Sequence, residues 1–137
     1  MKKVRGIGGI FFRCEDPEKT RDWYRNHLGF DTDEYGTNFE WRQADDGRNK
    51  GFTQWAPFQA DTGYFGNENQ QFMVNYRVEN LDALLERLEE DGVVIVGDVM
   101  THEYGRFVHI IDCDGRTLEL WEPDDENYDK IVDGRTK

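Results

Sequence analysis

The stretch GIFFRCEDPEKTRDWYRNHLGF, residues 9–30, joins a short apolar strand to an amphipathic helix with clear boundaries. Asp16 is suited to cap the helix, Pro17 to occupy its first turn, and Gly29 to end it in the left-handed conformation. Helical spacing predicts an inward-facing stripe. Its members are Thr20, Trp23, Tyr24, His27 and Leu28.

A second stretch, MVNYRVENLDALLERLEEDGVV at residues 73–94, repeats this organisation. Arg13 and Arg77 occupy matching places 64 positions apart, and the second helix is predicted to run from Asn80 to Gly92. After each helix the chain becomes β-like and rich in turns. Three strands are predicted in each half: FDTDEY, NFEWRQ and FTQWAPF in the first, and VVIVGDV, YGRFVHII and TLELWEP in the second.

Each half is therefore predicted to be a βαβββ module, and the two modules follow one another along the chain. Their bounds are about residues 4–57 and 71–122, which together form one predicted domain over residues 1–123. Residues 58–70 link the halves. Residues 124–137 are predicted to form a charged C-terminal tail with little order.

Composition restricts the partners that the chain can have. The 17 Lys and Arg are outnumbered by 29 Asp and Glu, which gives a net charge of −12. Nucleic acids and anionic membranes need clustered positive charge, so neither is expected as a partner. No apolar run is long enough for a signal peptide or a membrane span. With only two cysteines, the sequence predicts a soluble cytoplasmic protein.

The repeated modules resemble the vicinal oxygen chelate superfamily, which includes glyoxalase I, extradiol dioxygenases, fosfomycin-modifying enzymes and bleomycin-binding proteins. The most specific pieces are FFRCEDPEKTRDWYRNHLGF and YGRFVHIIDCDGRTLELWEP, and the resemblance covers residues 4–122. It implies an α+β fold in which two βαβββ modules form a cup-shaped mixed sheet with helices on its outer face. It also implies a small-molecule ligand in the cup and a homodimer.

In its enzymes, this family typically holds a divalent metal with histidine and glutamate from the first and last strands of each half. Here Gly9 and Met73 stand at two of those positions, Gln54 at a third, and only Glu119 matches the family pattern. Glycine has no side chain, and a thioether is a poor ligand for a hard divalent ion. The resemblance therefore implies that the standard metal site is lost and that no cofactor is needed.

His109 keeps a metal alternative open. If the DCDG turn is a three-residue loop with Gly115 in the left-handed conformation, His109 lies opposite Glu119 on the same face. A loop of two or four residues would instead set His109 opposite Leu120. The position of Gly115 favours the first arrangement. Glu119 with Gln54 and His109 would then be the candidate metal ligands, or His109 and Glu119 an acid–base pair.

Strand alternation predicts which side chains share the cup face with Glu119. Arg13 and Arg77 fall on this face, where they would either recognise an oxygen-rich ligand or pair with acids at the ends of the sheet. The predicted ligand-binding residues are Phe11, Arg13, Phe52, Gln54, Met73, Asn75, Arg77, Phe107, His109 and Trp121.

Three functional hypotheses follow. The favoured one is a glyoxalase- or bleomycin-resistance-like protein with a degenerate metal site that binds a small aromatic or cationic molecule in the cup. The alternative is a metal-dependent lyase, isomerase or dioxygenase that uses a non-standard site around Glu119. The third is a domain that serves mainly as an assembly or regulatory partner.

Overall fold

The computed structural model describes residues 4–132 and arranges them around one mixed seven-stranded sheet. The strands are β1 (Val4–Cys14), β2 (Thr37–Arg42), β3 (Lys50–Gln59), β4 (Phe72–Val78), β5 (Ile95–His102), β6 (Gly105–Ile111) and β7 (Thr117–Pro123). The helices are α1 (Pro17–Leu28), α2 (Leu81–Glu90) and α3 (Asp125–Val132).

The sheet order is β2-β3-β1-β4-β7-β6-β5, so the first strands of the two halves meet at its centre. There β1 and β4 pair antiparallel, while β3 pairs parallel to β1 and β7 pairs parallel to β4. The two halves thus extend the sheet in the same way on either side of a central seam. The predicted α+β fold with a cup-shaped mixed sheet is confirmed.

The first half lacks one of its three predicted strands within the described residues. Residues 30–35, which contain FDTDEY, form a turn closed by an isolated bridge between Asp33 and Gly36. The Asp33 carboxylate accepts hydrogen bonds from the backbone N–H groups of Tyr35 (2.8 Å) and Gly36 (3.2 Å). An aspartate that binds the backbone ahead of it favours a turn over a strand.

Helix α2 closes a hydrophobic core over the second half. Asn80 caps it by accepting from the N–H of Ala83, and Leu81 and Leu84 point into the core. The buried members of this core are Val78, Leu81, Leu84, Val108, Ile110 and Leu120.

Helix α1 has the predicted boundaries but not the predicted burial. Asp16 caps it, Pro17 lies in its first turn and Gly29 ends it with a φ of +71°. Pro17 is its only fully buried residue, while Trp23 is 52% exposed. The prediction that the apolar stripe lies inside is therefore wrong for much of the helix. Aromatic side chains fill the space beneath it, where the Tyr24 and Trp55 rings lie 4.5 Å apart.

Residues 125–132 fold as α3, although the sequence analysis places them in a tail with little order. Asp124 accepts a hydrogen bond from the N–H of Asn127 and so caps the helix. Tyr128 and Val132 are buried against the sheet. Residues 133–137 lie outside the described residues. Among residues 4–132, no helix has the length and apolar character that crossing a membrane requires.

Candidate functional site

One row of residues crosses the sheet from the first half to the second. Gln54 of β3 pairs in register with Gly9 of β1, which pairs with Asn75 of β4. Asn75 pairs with Glu119 of β7, and Glu119 pairs with His109 of β6. Side chains in register project to the same face. The row therefore sets an amide, a carboxylate and an imidazole side by side at the floor of the cup.

The turn between β6 and β7 explains the register of His109. The N–H of Asp112 donates to the carbonyl of Arg116 (2.9 Å), which leaves three residues in the loop. Gly115 has a φ of +87°, a left-handed conformation that glycine adopts without strain. The predicted three-residue loop, with His109 opposite Glu119, is confirmed.

Glu119 lies at the centre of a hydrogen-bonded cluster and is only 2% exposed. Asn75 Nδ2 donates to Oε1 (2.7 Å), and His109 Nε2 donates to Oε2 (2.8 Å). The hydroxyl of Tyr64, from the segment between the halves, also donates to Oε2. A carboxylate accepts hydrogen bonds only, so three donors from three parts of the chain converge on this group.

Above this cluster lies a cavity of about 770 Å³ that a single chain builds. Its walls are aromatic and are fixed by contacts among themselves: Phe107 stacks on Trp121 (5.4 Å between centroids), and Trp121 Nε1 donates to the carbonyl of Tyr104 (3.0 Å). No Lys or Arg is found among the described lining residues, which include the acids Glu34, Glu103 and Glu119. The aromatic lining residues are Phe11, Tyr35, Phe58, Tyr64, Tyr104, Phe107, Trp121 and Tyr128.

Three of the lining tyrosines are held in the neutral form. Burial raises the pKa of Tyr64, and the charge of Glu119 and the hydrogen bond to it raise it further. Burial and then the charge of Glu119 raise the pKa of Tyr104 as well. Burial also raises the pKa of Tyr128, whose hydroxyl proton can be donated to Asn38 Oδ1 (2.6 Å) or to the more distant Gln54 Oε1 (3.1 Å). These hydroxyls are therefore hydrogen-bond donors over the whole neutral range.

The cavity brings together about half of the predicted ligand-binding residues. His109 lies behind Glu119 with its side chain 12% exposed, and its ring meets the Tyr64 ring edge to face at 4.9 Å. The predicted residues that line the cavity are Phe11, Gln54, Asn75, Phe107 and Trp121, together with Glu119.

Arg13 and Met73 do not line the cavity, contrary to prediction, because the linker covers them. Arg13 donates to four backbone carbonyls of residues 60–70, with distances of 2.8–3.1 Å. Met73 is fully buried in a cluster that includes Phe65 of the same linker. The expectation that Arg13 either meets a ligand or pairs with an acid is corrected, since its partners are carbonyl oxygens.

Phe52 and Arg77 also lie outside the cavity, in this case because α3 covers them. Phe52 packs in a buried cluster with Tyr128 and Val132. Arg77 is 3% exposed, pairs with Asp125 of α3 and stacks over the rings of Trp41 and Trp121 at 5.6 and 4.9 Å. For Arg77 the pairing with an acid is the alternative that the structure supports.

Tyr64, Tyr104 and Tyr128 line the cavity but are not among the predicted ligand-binding residues. For Tyr128 a usable signal exists, because Tyr128, Ile131 and Val132 are spaced as one helix face behind the capping residue Asp124. Nothing in the pattern of residues 59–70 indicates that Tyr64 reaches Glu119. A linker's side-chain direction depends on tertiary contacts rather than on periodicity.

The amino-acid sequence can be compared with known protein families. The sequence profile of the Glyoxalase/Bleomycin resistance protein/Dioxygenase superfamily matches residues 6–120, which is most of the chain. The chain belongs to this superfamily. A comparison with proteins of curated function gives no significant match.

Solved structures with the same fold include members of this superfamily that differ from the present chain in sequence. A methylmalonyl-CoA epimerase variant from Streptomyces coelicolor, in complex with 2-nitronate-propionyl-CoA, is 18% identical with a TM-score of 0.64, and 88% of this chain and 99% of that chain are covered. The Mycobacterium tuberculosis methylmalonyl-CoA epimerase is 20% identical with a TM-score of 0.60, and coverage is 90% and 91%.

A third structure is described as an NAD-dependent benzaldehyde dehydrogenase from Legionella pneumophila. It is 14% identical with a TM-score of 0.52, and 85% of this chain and 98% of that chain are covered. At these identities the three structures establish the shared fold and leave the activity of this chain open.

The side chains at the superfamily's metal positions do not fit a divalent ion. A Cβ at Gly9 would lie 2.6 Å from the Phe11 ring, so that ring fills the space of a ligand side chain. Gln54 Oε1 faces the Tyr128 hydroxyl at 3.1 Å, and both Glu119 oxygens accept from protein donors. Within residues 4–132, no three His, Cys, Asp or Glu side chains are grouped as metal ligands. Three or more such donors are typical of a metal site.

Proposed function

We propose that this chain is a cytoplasmic protein that binds a small aromatic or cationic molecule in its cup without a metal ion. The observation that carries the proposal is the state of Glu119. The one family-type metal ligand in the row is held by Asn75, His109 and Tyr64 at the floor of an aromatic cavity. A concave, mostly apolar pocket with a few convergent polar groups is typical of a ligand-binding site.

The electrostatics of the cavity favour a ligand without negative charge. Its charged lining residues are acids, and the two arginines predicted to reach a ligand are engaged elsewhere. A CoA ester such as the one bound by the Streptomyces coelicolor epimerase carries several phosphate charges. Those charges would be repelled by this cavity and by the chain's net charge of −12. Aromatic faces, by contrast, attract flat and cationic groups.

A thermal-shift screen of cationic aromatic compounds in buffer that contains EDTA tests the proposal. We expect several compounds to raise the melting temperature in a concentration-dependent way, because ligands that bind only the folded state stabilise it. Tyr35→Ala, at an exposed lining position, should weaken this stabilisation. Phe39→Ala, at an exposed position outside the lining, should not. An absence of stabilisation by every compound contradicts the proposal.

One contact favours a second candidate, the metal-dependent lyase, isomerase or dioxygenase. His109 Nε2 and Glu119 Oε2 lie 2.8 Å apart, as acid and base partners do. Elemental analysis of protein purified without chelator separates the two candidates. Stoichiometric metal that is lost in Glu119→Ala supports the enzyme, whereas negligible metal that does not return on adding Ni, Co, Zn, Mn or Fe(II) supports binding alone.

We also propose that the chain forms a homodimer through the outer face around α1. Trp23 and Leu28 of α1 are 52% and 58% exposed there, and Phe72 at the start of β4 is 60% exposed. Ring contacts that run from Phe72 through Phe12, Trp55 and Tyr24 to Trp23 make the face continuous. Exposed apolar patches of this kind are typical of protein interfaces.

Sedimentation velocity tests the dimer. Trp23→Glu is expected to shift the protein from dimer to monomer. Val94→Glu replaces an apolar residue of the second half that is 59% exposed, and this control should leave the dimer intact. A wild-type protein that sediments as a monomer at all concentrations contradicts the proposal.

A further inference from the structure

The floor of the cup contains a buried acceptor that no protein group satisfies. Asn75 donates through Nδ2 to Glu119, but its carbonyl oxygen Oδ1 has no hydrogen-bond partner among the described residues. The side chain is only 1% exposed and lines the cavity. A buried acceptor without a partner is costly, so it marks a place where a ligand can donate.

The backbone of Gly8 passes directly beside this oxygen. A Cβ at Gly8 would lie 2.2 Å from Asn75 Oδ1, which shows how closely the backbone approaches it. Gly8 lines the same cavity as Asn75. Because glycine has no side chain, only backbone atoms lie against the oxygen on that side, and any larger residue would occupy the space beside it.

Of the three donors to Glu119, Tyr64 is the one that can leave. Asn75 and His109 are held on strands that are paired on both sides. Tyr64 lies on the linker, is 37% exposed and has Gly63 as its chain neighbour. Its ring stacks on Phe58 at 5.7 Å, a contact that tolerates sliding better than strand pairing does. The raised pKa of its hydroxyl keeps it a neutral donor.

We propose that the ligand carries a planar, protonated nitrogen group, an amidinium or guanidinium, which replaces the Tyr64 hydroxyl on Glu119 and donates a second N–H to Asn75 Oδ1. This inference rests on the proposed binding function and specifies its ligand. An amidinium or guanidinium carries several N–H groups in one plane and so can donate to more than one acceptor, and its charge neutralises the carboxylate. In the absence of ligand, the Tyr64 hydroxyl then occupies the position of one ligand N–H group on Glu119. The aromatic walls hold the remainder of the ligand.

Calorimetric titration with three near-isosteric probes, benzamidine, benzamide and benzoate, tests the inference in buffer that contains EDTA. Benzamidine is positively charged, benzamide is neutral and benzoate is negatively charged. We expect benzamidine to bind at least roughly tenfold more tightly than benzamide, because its hydrogen bonds to Glu119 are charge-assisted. Benzoate should show no binding.

Two variants test the roles of Tyr64 and Gly8. Tyr64→Phe keeps the ring but removes the competing hydroxyl, so benzamidine affinity should rise several-fold while benzamide affinity stays constant. Gly8→Ala covers Asn75 Oδ1 and should lower benzamidine affinity by roughly tenfold, the loss of one good hydrogen bond. Tyr24→Phe, on the outer face, is the matched control and should change neither. Melting temperatures establish that each variant is folded.

The outcomes separate this inference from the function on which it rests. Equal affinity for benzamidine and benzamide overturns the inference but leaves small-molecule binding in place. Unchanged benzamidine affinity in Tyr64→Phe overturns the displacement of Tyr64, and this variant does not depend on the fold tolerating a new side chain at Gly8. Failure of all three probes, with no hit in the thermal-shift screen, overturns both proposals.

Discussion

The two halves of the chain share a strand order but differ in how completely their helices cover the sheet. In the second half, Leu81 and Leu84 of α2 are 0% and 8% exposed and lie in a closed core. In the first half, Trp23 and Leu28 of α1 are 52% and 58% exposed. Aromatic rings lie beneath α1, whereas aliphatic side chains pack with α2, and the two similar helix patterns are buried to different extents.

The cup face shows a second difference between the halves. In the row across the floor, the first half contributes Gly9 and Gln54, neither of which is charged. The second half contributes Asn75, Glu119 and His109, which hold the cluster together. The repeat therefore preserves the backbone plan but not the division of roles between the halves. The second half holds both the closed core and the polar cluster.

The largest expected effect concerns how completely each helix covers its half of the sheet. Leu84→Ala should lower the free energy of unfolding by about 2–5 kcal/mol, because it leaves a cavity in a closed core. Leu28→Ala, the matched leucine on α1, should change it by less than about 0.5 kcal/mol, as surface substitutions do. Urea unfolding followed by circular dichroism measures both. Equal losses would mean that α1 covers its core as tightly as α2 does.

Arg13 and Arg77 occupy matching places in the two halves, but each one binds a different covering segment. Arg13→Met should lower the free energy of unfolding by about 1.5–3 kcal/mol, because it removes charge-assisted bonds to linker carbonyls. Limited proteolysis should then cut within residues 59–70. Arg77→Met should instead expose α3 to the protease, since it removes the pair with Asp125.

Arg25→Met is the control for this pair of substitutions. Arg25 pairs with Asp22 on the exposed surface of α1, and loss of such a pair costs less than about 1 kcal/mol. Cleavage at the same sites in both arginine variants would contradict the assignment of one segment to each residue.

A third comparison concerns the row at the floor of the cup. Glu119→Ala should lower the free energy of unfolding by about 1–3 kcal/mol, because Asn75 Nδ2 and His109 Nε2 lose their acceptor in a buried place. Gln54→Ala should cost less than about 1 kcal/mol, because Tyr128 keeps its shorter bond to Asn38. Thermal and urea unfolding at neutral pH measure the difference, and a reversed order would refute it.

The smallest expected effect is a loss of folding stability at alkaline pH. The raised pKa of Tyr64, Tyr104 and Tyr128 means that the folded state keeps protons that the unfolded chain releases. Their contribution to stability is complete below the ordinary tyrosine pKa of 10.0 and is lost as the pH rises through it toward the folded values. Tyrosinate absorbance should show several late-ionising groups, and their number should fall by one in Tyr64→Phe. An unchanged titration curve in that variant counts against a buried Tyr64.

Much of the fold could be predicted because its signals are local. Asp16 and Gly29 mark the ends of α1, and Gly115 determines the loop that sets His109 opposite Glu119. These residues act through backbone conformation, which neighbouring residues largely decide. The same reasoning failed at Asp33, where a side-chain hydrogen bond to the backbone competes with the strand that the apolar pattern suggests.

The site could be predicted only in part, because alternation gives the face of a residue but not what covers that face. Phe11 and Asn75 line the cavity as expected, whereas Met73 and Phe52 share their face and lie under other segments. The linker and α3 make those contacts, and their positions depend on the whole fold. Tyr64 shows this most clearly, since its contact with Glu119 spans 55 positions of sequence.

The path of α3 has a consequence for the order in which the protein is made. Although it follows the second half, α3 binds the first half: Tyr128 donates to the fully buried Asn38 at 2.6 Å, and Asp129 pairs with Lys50 at 3.1 Å. On the ribosome the first half emerges before α3 and lacks these partners until residues 125–132 have also emerged. The outer strands β2 and β3 therefore reach their final packing only after the whole second half has been made.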